Sequence, residues 1–488
     1  MKARLGLTSG FAGMLMLSAC NMAPVYHRPT QAIQNSYPAD TASRNTPAAQ
    51  AASNLGWEDF FTDPRLKALV ALALKNNRDI AAQLDAVGVA RGQYEIQNAS
   101  LFPIISAGGQ GMFMAPSDTA GFSFAPGVGE HISTLRLYQT SIGFSSYEID
   151  LWGRIRNLTR QQKETVLNNV ENARNVLITT VSQIGTTYIQ WLADREQLRV
   201  TRATLASERD TLRLTQLSYD NGETDALTLA QVKTQVEQAS AYEAQYTRAL
   251  ADDEHALQLL VGSPLPSTLP EPAPFGSQTM ITDLPEGLPS DLLEQRPDVR
   301  AAEHTLLGAN ANVGAARAAF FPRFTLTASE GTSSLQFRKL FTPGAETWSI
   351  SPSISIPLLT WGQSEGNLMM AKAQSRQNAA QYEKTVQSAF REVSDALTAR
   401  ETYTTQQRHM DELVAQSQQA FALANMRYKA GIDIYQTTMT QQRTLYQAQQ
   451  NDIMVKAARF QNIVTLYRAL GGGWSQKTVS PKVPAQTH

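Results

Sequence analysis

Two periods of hydrophobicity alternate along this chain, and the points where one gives way to the other mark its elements. Between Trp152 and Gly222 the period is helical. Val166, Val170, Ala173, Leu177, Val181, Ile184, Tyr188 and Trp191 follow at steps of four, three, four, four, three, four and three, the stripe of a helix that packs on other helices. No proline lies between Trp152 and Tyr219, and Gly153 and Gly185 are the only glycines there, so nothing ends the helix early. It stops at Tyr219-Asp220-Asn221-Gly222-Glu223-Thr224-Asp225, where glycine takes positive φ and Asn and Asp tolerate the turn. At roughly 1.5 Å per residue the run extends about 100 Å, several times the width of a compact domain. A returning helix starts near Ala226, which gives a helical hairpin over 152–262.

Elsewhere the period is two, the pattern of strands. Trp348, Ile350, Ile354, Ile356 and Leu358 alternate with Ser349, Ser351, Ser353 and Ser355. Tyr138, Thr140, Ile142 and Phe144 alternate in the same way with Gln139, Ser141, Gly143 and Ser145. Phe324, Leu326 and Ala328 against Thr325 and Thr327 give a third strand, and Ile104 to Phe113, loosened by Gly108, Gly109 and Gly111, a fourth. The pattern predicts one strand hairpin at about 103–147 and one at about 323–358. Their loops, Ala115 to Thr134 and Ser334 to Glu346, carry the Gly, Pro and Ser of exposed turns.

The chain can be laid on itself. Asp79-Ile80 matches Asp298-Val299, and Phe102-Pro103 matches Phe321-Pro322, at an offset of 219; Trp152-Gly153 matches Trp361-Gly362, and Tyr219 and Gly222 match Tyr428 and Gly431, at 209. The second copy is thus ten residues shorter between Pro322 and Trp361, while the distance from tryptophan to turn glycine stays at 70 in both. Each repeat comprises lead-in helix (Pro64 to Leu101; Ser290 to Phe320), strand hairpin and long helical hairpin. The organisation is a first repeat over 57–262, a Pro-rich linker over 263–289, a second repeat over 290–473 with its helical hairpin at 361–470, and a tail over 474–488. The glycines Gly471-Gly472-Gly473 end the last helix.

Composition narrows the class. The 488 residues are 42% apolar, enough for one large fold or two to three ordinary domains. The formal charge of -1, without a basic cluster, excludes a polyanion-binding surface, so no nucleic-acid partner is expected. After the N-terminus no run of 18 or more apolar residues occurs, so any membrane span must be made of strands. Lys2 and Arg4 before an apolar stretch from Leu5 to Leu17 read as a signal peptide over 1–19, too short to span. The sole cysteine follows it, which excludes an intrachain disulfide. Leu17-Ser18-Ala19-Cys20 resembles the bacterial lipobox, which implies cleavage before Cys20 and acylation there, with an acylated tether over 20–56. Asn21, rather than an aspartate, follows Cys20 and points to the outer membrane of a Gram-negative cell, where several acyl chains anchor stably.

Four strands cannot close a barrel, and eight would leave an interior filled by side chains. Twelve, from three copies, leave a lumen lined by Ser and Gly, so the strand count points to a cyclic homotrimer. Its four long helices per chain would continue the tube as a coiled-coil cylinder. The duplicated plan, the lipobox, Arg296-Pro297-Asp298-Val299-Arg300-Ala301-Ala302-Glu303 and the two Tyr-x-x-Gly turns resemble the TolC-like outer-membrane factors, in particular their lipoprotein branch. The resemblance covers essentially the whole mature chain. It implies an α+β membrane protein whose four strands per chain join a trimeric 12-stranded β-barrel continued by a periplasmic α-helical cylinder. It further implies a passive exit duct, not an enzyme, that docks a periplasmic membrane-fusion adaptor and an inner-membrane resistance-nodulation-division pump and expels drugs or other small toxic compounds. The exit duct of a type I protein-secretion system is the nearer rival. A structural coiled-coil envelope lipoprotein is the more distant one, and has no use for strand hairpins.

In that family the turn tips form the periplasmic entrance, its gate and adaptor contacts. Here those positions are Tyr219, Gly222, Glu223 and Asp225 in the first turn and Tyr428, Gly431, Asp433, Gln436 and Thr440 in the second. Relatives often carry Leu-Thr-Leu-Leu-Asp-Ala-Gln after the second turn, whereas this chain reads Gln436-Thr437-Thr438-Met439-Thr440-Gln441-Gln442, which removes an apolar and an acidic residue. Asp220, Glu223, Asp225 and Asp433, tripled by symmetry, either form a ring that favours cations or serve as ordinary turn and N-cap residues. Trp152 and Trp361 are either membrane-rim aromatics or strand-to-helix packing. The histidines His27, His131, His255, His304, His409 and His488 are scattered, so neither metal nor cofactor is expected. Asp252-Asp253-Glu254-His255 reads as a solvated helix face.

Overall fold

The computed structural model describes residues 21–29, 55–115, 135–277, 279–282 and 295–472. The signal peptide, Cys20, most of the tether, the loop between the first two strands, the linker beyond residue 282 and the tail lie outside the described residues. The helices and strands repeat as the sequence does. In the first half α1 (Trp57–Phe60), α2 (Pro64–Asn76) and α3 (Arg78–Ala99) lead to β1 (Ser106–Met114), β2 (Leu135–Ile149), α4 (Arg154–Asp220) and α5 (Ala226–Val261). In the second, α6 (Pro297–Ala318) leads to β3 (Arg323–Ser334), β4 (Glu346–Ser355), α7 (Gln363–Lys429) and α8 (Tyr435–Ala469). Helices α3 and α6 both have 22 residues, and α4 and α7 both have 67. No described helix is long and apolar enough to cross a membrane.

The lead-in helix of the first half is two helices rather than one. Asp63 caps α2 by accepting from the amides of Arg65 (2.8 Å) and Leu66 (3.4 Å), with Pro64 at the first helical position. Asn77 makes the break. Its Oδ1 accepts from the Ile80 amide at 3.0 Å and its Nδ2 donates to the Leu260 carbonyl at 2.7 Å, so one side chain caps α3 and ties it to the end of α5. The strands are also trimmed. Ile356 and Leu358 keep the alternation but lie beyond β4, because the ladder ends at Arg323↔Ser355, where β3 begins.

Contacts divide the chain into two compact units. The first contains residues 21–29, Val87–Asn169 and Ala302–Tyr382. Its strands form one antiparallel sheet in the order β1-β2-β3-β4, so the two hairpins are joined through β2 and β3, from Tyr138↔Ser334 to Ile149↔Phe324. The register sorts the side chains. One face carries Trp348, Ile350, Ile354, Phe324, Leu326, Ala328, Ile142 and Phe144; the other carries Ser349, Ser351, Ser353, Thr325, Thr327, Ser329, Gln139 and Ser141. Gly143 and Gly331 lie on the small polar face. A Cβ at Gly331 would sit 2.7 Å from Ser141 Cα, and one at Gly143 would sit 2.6 Å from Ser329 Cα, so the strands approach there as only glycine allows. The register shifts between Phe144 and Tyr147, where Ser146 takes φ 55°, a bulge that bends β2.

Residues 21–29 lie as a strap along α6 and α4. Asn310 Nδ2 donates to the Pro24 carbonyl at 2.9 Å, Arg317 Nη1 to that of Met22 at 3.3 Å, and Asn157 Nδ2 to Asn21 Oδ1 at 2.8 Å. Arg28 forks onto Glu303 at 3.0 and 2.7 Å, and the Tyr26 hydroxyl donates to the same carboxylate. Gly314 admits the strap: a Cβ there would sit 2.7 Å from the Ala23 backbone.

The second unit contains residues 55–86, Val170–Ala301 and Glu383–Gly472 as far as they are described. Its core collects Phe60, Phe61, Leu66, Leu69, Ile184, Tyr188, Met280, Leu466 and Tyr467, all fully buried. Phe60 stacks on Tyr467 at 3.8 Å between ring centroids, and the Tyr188 hydroxyl donates to Asp63 Oδ2 at 2.8 Å. Burial raises the Tyr188 pKa, with help from the Asp63 hydrogen bond. Gly185, isolated within α4, leaves room for the Phe61 ring, which a Cβ would meet at 3.1 Å. Helices α4 and α8 are joined by polar rungs in antiparallel register: Gln461 to Gln190 at 3.2 Å, Gln197 to the Gln450 carbonyl at 3.0 Å, and a hydrogen bond of 2.8 Å between Thr201 and Tyr446.

Candidate functional site

Each hairpin turn closes by the same backbone device. Gly222 has φ 74° and Gly431 φ 68°; the Glu223 amide reaches back to the Ser218 carbonyl at 2.8 Å, and that of Ile432 to Arg427 at 2.9 Å. The amides of Gly222 and Gly431 donate to the carbonyls of Tyr219 and Tyr428. This left-handed C-cap satisfies the last carbonyls of a long helix and turns the chain at once. The glycine and tyrosine of both sequence turns thus occupy equivalent places.

The carboxylates do not. Asp225 caps α5, accepting from the Thr228 amide at 2.6 Å, and this hydrogen bond lowers its pKa. Its counterpart in the second repeat is Ile434, which makes no side-chain cap. Asp433 instead takes the Arg427 guanidinium at 2.6 Å, which holds its carboxyl below the usual range. Asp220 accepts from Gln216 at 2.9 Å. Glu223 is exposed. Gln436 is exposed as well, and Thr440 returns its hydroxyl to the Gln436 carbonyl at 2.9 Å. Leu217, Tyr219 and Leu227 around the first turn, and Met426, Ile432 and Ile434 around the second, are exposed apolar side chains, more than a free turn carries by chance.

Two polar residues near the turns escape a linear reading. Tyr435, the first residue of α8, is buried against the Tyr428 ring at 5.4 Å, and its hydroxyl has no hydrogen-bond partner. Glu208 on α4 is 4% exposed with Oε2 likewise unpartnered, and burial pushes its pKa up to about 7. The only signal in the sequence is Glu208 falling a helical step from Leu205, whose face packs on Val236 and Ala239. Asp253 corrects the reading of 252–255 as a wholly solvated face. Asp252, Glu254 and His255 are exposed, but Asp253 turns inward toward Asp194, and burial with that hydrogen bond raises its pKa to about 7.

The unfolded glutamate ionises near 4.5 and the folded one only near 7, so stability contributed by neutral Glu208 is complete below 4.5 and is lost as pH rises to about 7. The loss is at most about 1.4 kcal/mol per pH unit of that window. Glu208→Gln is expected to remove its share of the fall in thermal midpoint between pH 5 and 7.5, and Asp253→Asn another share. Identical pH profiles of wild type and both variants would refute the assignment.

At the junction of sheet and helices, Trp152 is half-buried, stacks on Phe321 at 4.8 Å and donates its indole N–H to the Pro322 carbonyl at 2.8 Å. Trp361 takes φ 51° and is 88% exposed. The two tryptophans therefore differ in surroundings despite their matched positions. Asp150 Oδ2 accepts from the Arg156 amide at 2.9 Å in the first turn of α4, where a carboxylate meets the positive helix end. Among the described residues no group of three His, Cys, Asp or Glu is placed to hold a metal ion.

This architecture has relatives. The outer membrane efflux protein family profile matches residues 69–263 and 288–472, one match per repeat. The toluene efflux pump outer membrane protein TtgI of Pseudomonas putida is 40% identical over 465 residues, covering 95% of this chain and 97% of TtgI. A membrane protein of Pseudomonas aeruginosa has a crystal structure similar at a TM-score of 0.86 and 34% identity, over 95% of this chain and all of the other. The open-state MtrE outer membrane channel of Neisseria gonorrhoeae matches at 0.84 and 31%, over 94% of this chain and 100% of MtrE. With both repeats, the four-stranded sheet and the paired long helices accounted for, the chain belongs to the outer membrane efflux protein family and is a protein of the outer membrane.

Proposed function

We propose that three copies of this chain form the passive exit duct of a tripartite efflux pump. The observation that carries this reading is the sheet. It is antiparallel with four strands, so β1 and β4 are left as edges, and they run in opposite directions. β4 of one copy can therefore continue into β1 of the next without a break in the antiparallel order, and three copies supply twelve strands. Closure removes the edges, leaves Trp348, Ile350 and Ile354 toward lipid and places the serine face toward the lumen. The chain then needs no catalytic site of its own, since energy comes from an inner-membrane resistance-nodulation-division pump and coupling from a periplasmic adaptor. The exposed apolar side chains at the two turns suit neighbouring copies and that adaptor. Small toxic compounds are the expected cargo, as the toluene-pump relative supports, rather than secreted protein.

Cys20 acylation, the rim role of Trp361 and the boundaries 57–262, 263–289 and 290–473 belong to the same proposal. The strap supports the anchor: Asn21, which follows the lipobox in sequence, docks on Asn157 in the first turn of α4 directly after the sheet. Outer-membrane extracts run unheated on a denaturing gel should show a trimer band, and a deletion strain should accumulate drug. A soluble monomer would overturn the pore.

At the mouth, Asp433→Asn and Glu223→Gln each remove one negative charge per chain, but the first also releases Arg427 from its 2.6 Å pair. In planar bilayers Asp433→Asn is expected to lower the cation-to-anion permeability ratio more than Glu223→Gln. Unchanged selectivity in both would show that these carboxylates serve only the turns.

A further inference from the structure

The loop joining β3 to β4 is folded yet shows its apolar side chains to the outside. Leu340 is 3% exposed and Ala345 8%, and the Ser333 amide closes the loop on the Ala345 carbonyl at 2.8 Å. A single 3-10 turn, Phe337–Lys339, is held by Leu340 N–H to the Phe337 carbonyl at 3.2 Å and by the Thr342 hydroxyl on the Lys339 carbonyl at 2.9 Å. Against this frame Leu335, Phe337 and Phe341 stand 60%, 66% and 75% exposed. An ordered loop that holds three large apolar groups out of its own interior has a partner.

Two features say what the partner is. The first is continuity with the apolar sheet face. Phe337 meets the Tyr138 ring edge-on at 5.4 Å, and Tyr138 meets Phe113 at 5.6 Å; by register Tyr138 and Phe113 share the face of Ile142, Ile350 and Trp348. They form an aromatic row at the loop end of that face, as at a membrane–water interface. The second is charge. Arg338 and Lys339 lie in the 3-10 turn, and Arg136 lies one rung beyond Tyr138 on the same face, all exposed. Of the described carboxylates nearby, Glu346 accepts from the Gly344 amide at 2.8 Å and Glu330 sits opposite Trp348, on the sheet side of the row. The cations therefore lie at the loop end of the sheet, past Tyr138 and level with Phe113 and Phe337.

We propose that this loop is a lipid-binding surface, in which Leu335, Phe337 and Phe341 enter the acyl boundary and Arg338, Lys339 and Arg136 bind phosphates on the headgroups of the outer leaflet. A guanidinium and an ammonium set at the loop end of an aromatic row match a phosphorylated glycolipid, whose charge lies directly over its acyl chains. A second copy of the chain is a poorer fit, since neighbouring sheets join through their backbone edges. The inference rests on the sheet spanning the outer membrane with its helices inward.

The test uses the full chain reconstituted in phosphatidylcholine vesicles containing either diphosphorylated lipid A or the same glycolipid without phosphate. The phosphorylated lipid is expected to raise the temperature at which the heat-resistant oligomer dissociates, and to remain bound in native mass spectra. Arg338→Gln with Lys339→Gln should lose most of that shift and weaken lipid binding roughly 10- to 30-fold. An equal shift with both lipids, or a full shift in the double variant, overturns the proposal. An oligomer that forms equally well without any glycolipid but shows no phosphate preference leaves the channel reading standing and this one refuted. Absence of a heat-resistant oligomer in every vesicle overturns both.

Discussion

Gly331→Val is expected to lower the yield of assembled protein in the outer membrane by ten-fold or more. The added Cβ falls 2.7 Å from Ser141 Cα, and its obstacles are backbone atoms of β2 rather than flexible side-chain ends. The strands cannot part there without breaking the ladder that joins the two hairpins, from Ser141↔Gly331 to Gly143↔Ser329. Overpacking of this kind costs about 1–3 kcal/mol even where some relaxation is possible. A one-residue slip that avoided the clash would turn the serine face toward lipid. Gly108→Ala is the control, because nothing lies within 4 Å of the Cβ it would add. Heat-modifiable oligomer in membrane extracts measures both variants, and wild-type assembly of Gly331→Val would show that the close approach of β2 and β3 is not needed.

Arg296→Ala is expected to destabilise the helical unit by about 3 kcal/mol, within the range for breaking a buried ion pair. Arg296 holds three things at once. Its Nη1 donates to the Ala469 carbonyl at the end of α8 at 2.9 Å, Nε and Nη2 fork onto Asp298 at 3.1 and 2.7 Å, and Nη2 also reaches Glu392 on α7 at 3.0 Å. The side chain is 7% exposed while its two carboxylate partners are about a third exposed, so water rehydrates part of what the substitution strands. The neighbouring Pro297 opens α6 and Asp298 lies in its first turn, which makes Arg-Pro-Asp a helix start and a clamp together. Arg296→Lys should recover only part of the loss, since an ammonium cannot fork. Denaturant melts of detergent-solubilised protein check the order: wild type, then Lys, then Ala. Equal stability of all three would sink the clamp.

The sequence by itself determined the element plan. The three-four stripe of α4 and the serine alternation of β4 are properties of neighbouring residues, and local periodicity is legible because it reports which face of one element is wetted; the offsets of 219 and 209 are legible because the two halves repeat the same local pattern. The turn glycines were legible for the same reason, since positive φ is a demand on one residue. The tertiary structure alone decided what depends on partners far along the chain. Asn77 breaks a helix because Leu260 offers it a carbonyl; Trp152 is half-buried on Phe321 while its twin Trp361 is open; and Asp433 takes Arg427 where Asp225 takes a helix end. The burial of Glu208 and of Asp253 is of this kind too. Whether a carboxyl on a long helix meets water or another helix is set by packing across the bundle, and the linear pattern of charges carries no record of it.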